Sequence, residues 1–301
     1  MLENERIKVL SERAGFNLCG IAPVKKFDNN RVVYDRWLNC GHVSSLEYMC
    51  RNIDMRFDAS RLVEGAQSVV VCAVSYKSAI SGGYGSKDNC KIASYACTTD
   101  YHKTIKKMLL YILHELQKEY PSLQGRAFVD SAPILEKQYA VEAGLGWIGR
   151  QSLLITPRYG SYILLGELVL CDRVDVYDTP YGGIGCGECR RCIDHCPTKA
   201  VQENMTINTS QCISCRTIEA EQEGKIDLNG WIFGCDECQN CCPYNRKAMM
   251  HDNERFDPIF DPRQIRADEW LEMGDDDFMS RFGRTPLKRC GLERIKQNIK
   301  K

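Results

Sequence analysis

Between Cys186 and Cys242 the chain concentrates ten of its 18 cysteines, and their spacing limits the possible folds more than any other feature. CGECRRCIDHCP places Cys186, Cys189, Cys192 and Cys196 in a C-x2-C-x2-C-x3-C run closed by Pro197, the spacing of bacterial two-cluster ferredoxins. Three thiolates on one tight loop reach three irons of a cubane, and the fourth points away to ligate the other cubane. CDECQNCCP then supplies Cys235, Cys238, Cys241 and Cys242, again closed by a proline, Pro243, with Cys212 and Cys215 between the two sets. Two [4Fe–4S] clusters need eight thiolates. The pseudo-symmetric solution gives one cluster Cys186, Cys189, Cys192 and Cys242, and the other Cys196, Cys235, Cys238 and either Cys212 or Cys215. Cys241 fits the x2 spacing, but Cys242 carries the proline, as Cys196 does, which favours Cys242 as the crossing ligand. The competing reading is a pair of zinc sites built on CxxC pairs. It leaves the proline-closed run and its echo without a reason.

Compartment and charge narrow the function further. The N-terminus MLENERIKVL is charged and lacks the apolar core of a signal peptide, and no run approaches the roughly 20 apolar residues of a membrane span. Cysteines in such a chain read as reduced thiols available to metal rather than as a disulfide framework, so a cytoplasmic location without membrane attachment is expected. Cys19, Cys40, Cys50, Cys72 and Cys90 read as small buried hydrophobes. With 40 basic and 40 acidic residues the net charge is zero. No global field draws the chain to polyanions, and any such binding falls to local patches.

Ahead of the cysteines the pattern is α/β. SVVVCAVSY (68–76) is a continuous β-branched run, as expected of a strand buried on both faces. Ile105, Met108, Leu109, Ile112, Leu113 and Leu116 form one helical stripe that Pro121 terminates. AFVD (127–130), SLLIT (152–156) and SYILLGELVL (161–170) are further strand candidates, and strands alternating with helices indicate an α/β layer architecture. Composition divides the chain into residues 1–175, the cysteine-rich segment 176–250, and a C-terminal helical basic tail over 251–301. The tail carries Arg281, Arg284, Lys288, Arg289, Arg294, Lys296, Lys300 and Lys301. Paired clusters pass single electrons and do no bond chemistry, so the first 175 residues should hold the acceptor site. Asp130 closes a short apolar strand and is followed by Ser131, Ala132 and Pro133, which projects a carboxylate from a sheet edge. GLGWIG (144–149) satisfies G-x-G-x-x-G, but a helical segment precedes it and a strand follows, the reverse of a dinucleotide site.

VDSAPILEK, AGLGWIGRQSLLI, GSYILLGEL, CGECRRCIDHCPTKA, QCISCRTIE and GCDECQNCCPYNR resemble the motifs of the epoxyqueuosine reductases, and RFDASRL and YACTTDYHK extend the likeness over most of the chain. The resemblance implies an α/β (α+β) fold. It has an N-terminal cobalamin-binding mixed-sheet domain with helices, then a ferredoxin-like domain with two [4Fe–4S] clusters. It implies a tRNA-modifying oxidoreductase that reduces the epoxide of epoxyqueuosine at the anticodon wobble position, the last step of queuosine biosynthesis. It puts cluster ligands at Cys186, Cys189, Cys192 and Cys242 and at Cys196, Cys212, Cys235 and Cys238, and the proton donor at Asp130. Arg56, Cys97, Asp130, Ser131, Pro133, Leu153 and Leu154 correspond to corrinoid-lining positions, with Ser214 and Gln239 added beside the cluster ligands. Many members of the family continue into a C-terminal helical-repeat extension; this chain ends at residue 301, so the tRNA contacts of such an extension are expected to be absent. Members commonly have Tyr where Cys215 stands and a non-cysteine at 241.

Several expectations about mechanism follow. Asp130 as general acid requires a pKa raised by apolar neighbours such as Phe128, Val129 and Pro133. Asp100 and His102 give D-x-H, but Ile105 stands where D-x-H-x-x-G needs glycine. A base-off cobalamin without a histidine ligand is therefore expected, and His102 reads as a helix-start residue. The available cations for tRNA phosphates are Arg150, Arg158, Arg190, Arg191, Lys199, Lys288, Arg289 and Arg294. An external low-potential electron donor and a monomeric chain complete the expectation. The alternatives are another corrinoid iron–sulfur reductase, such as a small-molecule dehalogenase, and a ferredoxin-type electron carrier.

Overall fold

The chain opens with α1 (Asn4–Ala14) and β1 (Leu18–Pro23), followed by α2 (Asp28–Asn39) and α3 (Ile53–Phe57) in the long connection to β2 (Ser68–Ser75). All eight residues of β2 are buried, as its unbroken apolar run requires. The computed structural model describes residues 1–85, 90–219 and 224–300, so Lys301 of the basic tail lies outside the described residues. β3 (Lys91–Ile92) leads to α4 (Tyr101–Glu119), which ends one residue before Tyr120 and two before Pro121. β4 (Gly125–Phe128), α5 (Glu136–Glu142), the short pair β5 (Trp147–Ile148) and β6 (Leu154–Ile155), and β7 (Ile163–Leu170) complete the first part.

The main sheet has the order β1-β2-β7-β4. Each of its described pairings is antiparallel, with Val71 opposite Glu167 and Phe128 opposite Glu167. Alternate residues of β2 enter different cores. Val70, Cys72 and Val74 pack with α1 and with the predicted α4 stripe, while Val69, Val71 and Ala73 pack with Phe57, Tyr139 and Ala140 on the other face. The stripe residues Ile105, Leu109, Ile112 and Leu116 are fully buried, and each such side chain contributes about 1.5–3 kcal/mol. Gly166 lets α4 approach this closely: a Cβ there would stand 2.5 Å from Ile105 Cγ2.

The cysteine-rich segment adds α6 (Arg191–His195), α7 (Ile213–Ile218), β8 (Trp231–Phe233), α8 (Glu237–Asn240) and α9 (Pro243–Lys247). It is tied to the first part by the parallel pairing of β3 with β8. The expected α/β architecture is therefore observed, with the parallel pairing here rather than in the main sheet. The C-terminal segment forms α10 (Ala267–Glu272), α11 (Asp275–Phe282) and α12 (Gly291–Ile299). These helices share one core with Ile92, Cys97, Ile232 and Phe233, centred on the fully buried Trp270 and Phe282. The basic segment is thus a packed layer, not a free extension.

A thiol-lined cavity beside an acid–histidine cluster

The thiols fall into two sets by which of them face each other. Cys192 lies within electrostatic reach of Cys186 and Cys242, and Cys242 within reach of Cys186 and Cys189. Cys212 is coupled in the same way to Cys196, and Cys235 and Cys238 to Cys212. Local structure aims the sulfurs. Cys212 and Cys242 are the N-cap residues of α7 and α9, and main-chain N–H groups of Ser214 and Cys215, and of Tyr244 and Asn245, point at them. Pro243 occupies the first turn of α9, where its missing N–H costs nothing. The Ala200 N–H donates to Cys196 Sγ at 3.3 Å, and Trp147 Nε1 to Cys186 Sγ at 3.4 Å.

The second set bounds a cavity of about 310 Å³, lined by Cys196, Cys212, Cys235 and Cys238 with Tyr76, Tyr95, Gln151, Leu153, Ser214 and Gln239. Among the described residues no three His, Cys, Asp or Glu side chains converge on one metal ion. Four thiols around one cavity match the ligand demand of a cubane, whose irons stand apart. Cys241 faces Cys192, Cys242 and Cys189 and bonds to the Cys238 carbonyl, so it borders the first set. Cys215 is buried in α7. Of the five cysteines expected to be buried, Cys72 and Cys90 are, Cys19 is partly so, and Cys40 and Cys50 are exposed. The last two sit in the irregular connection around α2 and α3, outside the packed layers.

Asp130 lies just past the end of β4, the edge strand, with φ 57°. The Ser131 N–H closes a three-residue turn onto the Val129 carbonyl at 2.6 Å, a strained geometry for a residue with a side chain. His102 Nε2 stands 3.1 Å from Asp130 Oδ2 while its Nδ1 stands 2.7 Å from Asp100 Oδ1. A ring with a carboxylate at each nitrogen donates at both only as the imidazolium. These two bonds hold the His102 pKa up at about 9. They also reverse the expectation for Asp130: the His102 hydrogen bond, outweighing desolvation, lowers its pKa. Phe128 faces the core rather than the carboxylate, and the groups around Asp130 are polar: Arg289 and Lys137 act on it with His102. The proton that Asp130 was expected to hold rests on His102. D-x-H spacing flagged His102, but reading it as a helix-start residue left out its contact with Asp130, 28 residues away.

The other expected cofactor residues divide. Leu153, Ser214 and Gln239 line the cavity, although Gln239 spends its amide on Ser161, Tyr76 and Asp236. Ser131 and Pro133 share the Asp130 turn. Cys97 is completely buried in the C-terminal core, and Leu154 in the core beneath the sheet, so neither offers side-chain surface. Two buried nitrogens, Arg56 Nε and Gln151 Nε2, have no partner among the described residues, and Gln151 is on the cavity wall. Such donors are costly unless an acceptor arrives. A corrinoid, rimmed with amides, would supply an acceptor to Gln151 on the cavity wall. The cavity of about 310 Å³ bounded by four thiols is itself of cluster size, so the ring would lie outside it. The glycines of GLGWIG serve packing, since a Cβ at Gly146 would lie 2.0 Å from the Ile155 carbonyl.

Among the expected tRNA cations, Arg190 pairs with Glu203 at 2.5 Å and Arg289 with Glu219 at 2.8 Å. Arg294 is half-buried and donates to the Arg216 and Glu219 carbonyls, which makes it structural. Arg150 and Lys199 hold the carbonyls of Gly187 and Asp194, and Arg158 bonds to Met249 Sδ. Arg191 and Lys288 are exposed.

Comparison with known proteins sets this arrangement in context. Residues 56–131 match a family model described as epoxyqueuosine reductase QueG, DUF1730, and residues 185–245 one described as a 4Fe-4S double cluster binding domain. An epoxyqueuosine reductase of Cyclobacterium marinum is 39% identical over 97% of this chain and 94% of its own length. The structure of epoxyqueuosine reductase from Streptococcus thermophilus superimposes with a TM-score of 0.84 at 25% identity, covering 98% of this chain and 79% of that one. A crystal structure of an epoxyqueuosine reductase with an epoxyqueuosine-modified tRNA-Tyr stem loop shares the fold at a TM-score of 0.86 and 23% identity, with the same coverage.

Proposed function

The chain belongs to the epoxyqueuosine reductase family, and on that premise we propose how its residues carry out the reduction of epoxyqueuosine in tRNA to queuosine. Converting an epoxide to an alkene consumes two electrons and two protons and releases water. A bound corrinoid supplies a strongly reducing, nucleophilic cobalt, and two [4Fe–4S] clusters on the Cys186, Cys189, Cys192, Cys242 and Cys196, Cys212, Cys235, Cys238 sets supply electrons singly.

The protons fall to this chain's own side chains. The single observation that carries the assignment is the Asp100–His102–Asp130 hydrogen-bonded row. Asp130, on its strained turn, is the group that meets the departing oxygen. His102, charged at neutral pH, transfers its proton from Nε2 to Asp130 Oδ2, and Asp130 passes that proton to the departing oxygen; His102 is then reprotonated from solvent to deliver the second, while Asp100 holds the ring in register. Asp130 is therefore a relay rather than an acid with a permanently raised pKa. Its side chain is 47% exposed, so a substrate can reach it. The aromatic and apolar cavity walls exclude water from the electron path beside it.

The tRNA contact is supported by exposed cations not committed to carboxylates, chiefly Lys288 and Arg191, with Arg158. Lys288 immediately precedes Arg289, which acts on Asp130, and this supports a phosphate contact near the acid. An external low-potential electron donor and a monomeric working unit belong to the same proposal. No helix among the described residues is long and apolar enough to cross a membrane.

Nucleoside analysis tests the reading. Anaerobic protein loaded with iron, sulfide and cobalamin is given reductant and tRNA bearing epoxyqueuosine. Appearance of queuosine supports it, while unchanged epoxyqueuosine with all cofactors bound overturns it.

A further inference from the structure

Behind the Asp130 turn lies a second acidic feature that the mechanism above does not use. Glu167 sits in the middle of β7, opposite Val71 and Phe128, and is completely buried. Neither of its carboxyl oxygens meets a donor among the described residues. The polar group that faces it is another carboxyl, Glu136, the first residue of α5. Two carboxylates cannot hydrogen-bond to each other, but a carboxylic acid and a carboxylate can. Glu136 in turn accepts the Asp130 main-chain N–H at 2.7 Å. The row Glu167–Glu136–Asp130 N–H therefore ends on the residue whose backbone is held at a positive φ.

We infer that Glu136 and Glu167 share one proton and together act as positioning residues, clamping the strained Asp130 turn so that its carboxylate stays against His102. Glu167 donates the shared proton to Glu136, and Glu136 spends its other lone pairs on the Asp130 N–H. The titratable groups facing the pair come from the elements around it: Tyr101 from α4, Lys137 from α5, Cys72 from β2, and Asp130 itself. Burial, with the mutual repulsion of the two carboxylates and of Asp130, favours retention of the proton at neutral pH. A strained turn persists only where its surroundings over-determine it, and here a hydrogen bond to a carboxylate does so. Replacing the shared proton by a fixed amide should preserve the clamp; deleting the acceptor should release it.

The inference rests on Asp130 as the proton-delivering group, so the test uses one readout that does not. Infrared difference spectra of the full chain at neutral pH should show the carbonyl band of a buried carboxylic acid, sensitive to deuterium exchange and absent in Glu167→Gln. In single-turnover reduction of modified tRNA, with iron and cobalamin content matched, Glu136→Ala should be slower by about tenfold to a hundredfold, as expected for loss of one hydrogen bond to a charged acceptor. Glu136→Gln, whose carbonyl still accepts the Asp130 N–H and whose amide donates to Glu167, should recover most of that rate. Absence of the band in the wild-type chain, a wild-type rate in Glu136→Ala, or a Glu136→Gln rate no better than that of Ala would each overturn the clamp. A present band together with full turnover by Asp130→Asn would instead refute the role of Asp130 and leave the proton-sharing pair standing.

Discussion

His102 Nε2 lies 3.1 Å from Asp130 Oδ2, and this contact joins the start of the longest helix to the turn after the edge strand. It decides which residue carries the proton at neutral pH. Asp100 and Asp130 raise the His102 pKa to about 9, while His102 lowers that of Asp130. A raised histidine contributes stability that is complete below its unfolded value near 6.5 and fades as pH rises through about 9. Turnover should follow the same limb, holding near neutrality and falling above about pH 9. In His102→Gln that limb should vanish and the neutral-pH rate should drop by about tenfold or more. A pH–rate profile of single-turnover reduction checks both.

Cys241 and Cys242 are adjacent, yet only one is assigned as a ligand. Cys242 caps α9 and receives two main-chain N–H groups, whereas Cys241 points to the Cys238 carbonyl. Cys241→Ala should retain about eight irons per chain, as two cubanes require, and Cys242→Ala should lose up to about half. Iron analysis with low-temperature electron paramagnetic resonance of the reduced protein distinguishes the two.

Trp147 donates its indole N–H to Cys186 Sγ and is held by Tyr181, stacked at 5.2 Å, and Tyr244, edge-on at 4.7 Å. A hydrogen bond to a ligating sulfur stabilises the more negative, reduced cluster. Trp147→Phe should therefore lower that cluster's potential. Loss of about 1 kcal/mol corresponds to about 40 mV for a one-electron couple, readable by redox titration.

Trp270 is completely buried in the core that unites α10–α12 with β3 and β8. Trp270→Ala should cost about 3–5 kcal/mol and should loosen the cluster segment as well as the C-terminal helices. Chemical denaturation of the cluster-loaded protein would show it, with iron release moving to lower denaturant alongside the loss of helix.

What the sequence made legible was what depends on short spacing. The two proline-closed cysteine motifs singled out most of the thiols, and in space Cys192 and Cys242 lie near Cys186 and Cys189, and Cys212 near Cys196, Cys235 and Cys238. The α4 stripe and the doubly buried β2 were equally readable, because period and composition are local properties. The features that escaped are long-range. Asp130 was seen as a carboxylate among apolar neighbours in sequence, but in space its neighbours are His102, Arg289 and Lys137. Glu167 stands within a strand and Glu136 opens a helix 31 residues earlier, and no short spacing marks them as partners. Only the register of β7 against β4, with α5 laid across them, makes them a pair. The C-terminal segment read as a helical basic tail without a core, yet its Trp270, Phe278, Phe282, Leu287 and Ile295 close one, and Arg294 is consumed in holding it.

The account turns on Asp130, and its most direct test is single-turnover reduction by Asp130→Asn with both clusters and cobalamin loaded to wild-type levels. Removing a general acid costs about a hundredfold to ten-thousandfold, so queuosine formation should fall by at least about a hundredfold while cofactor spectra and tRNA affinity are retained. A rate within a few-fold of wild type would contradict the proton relay.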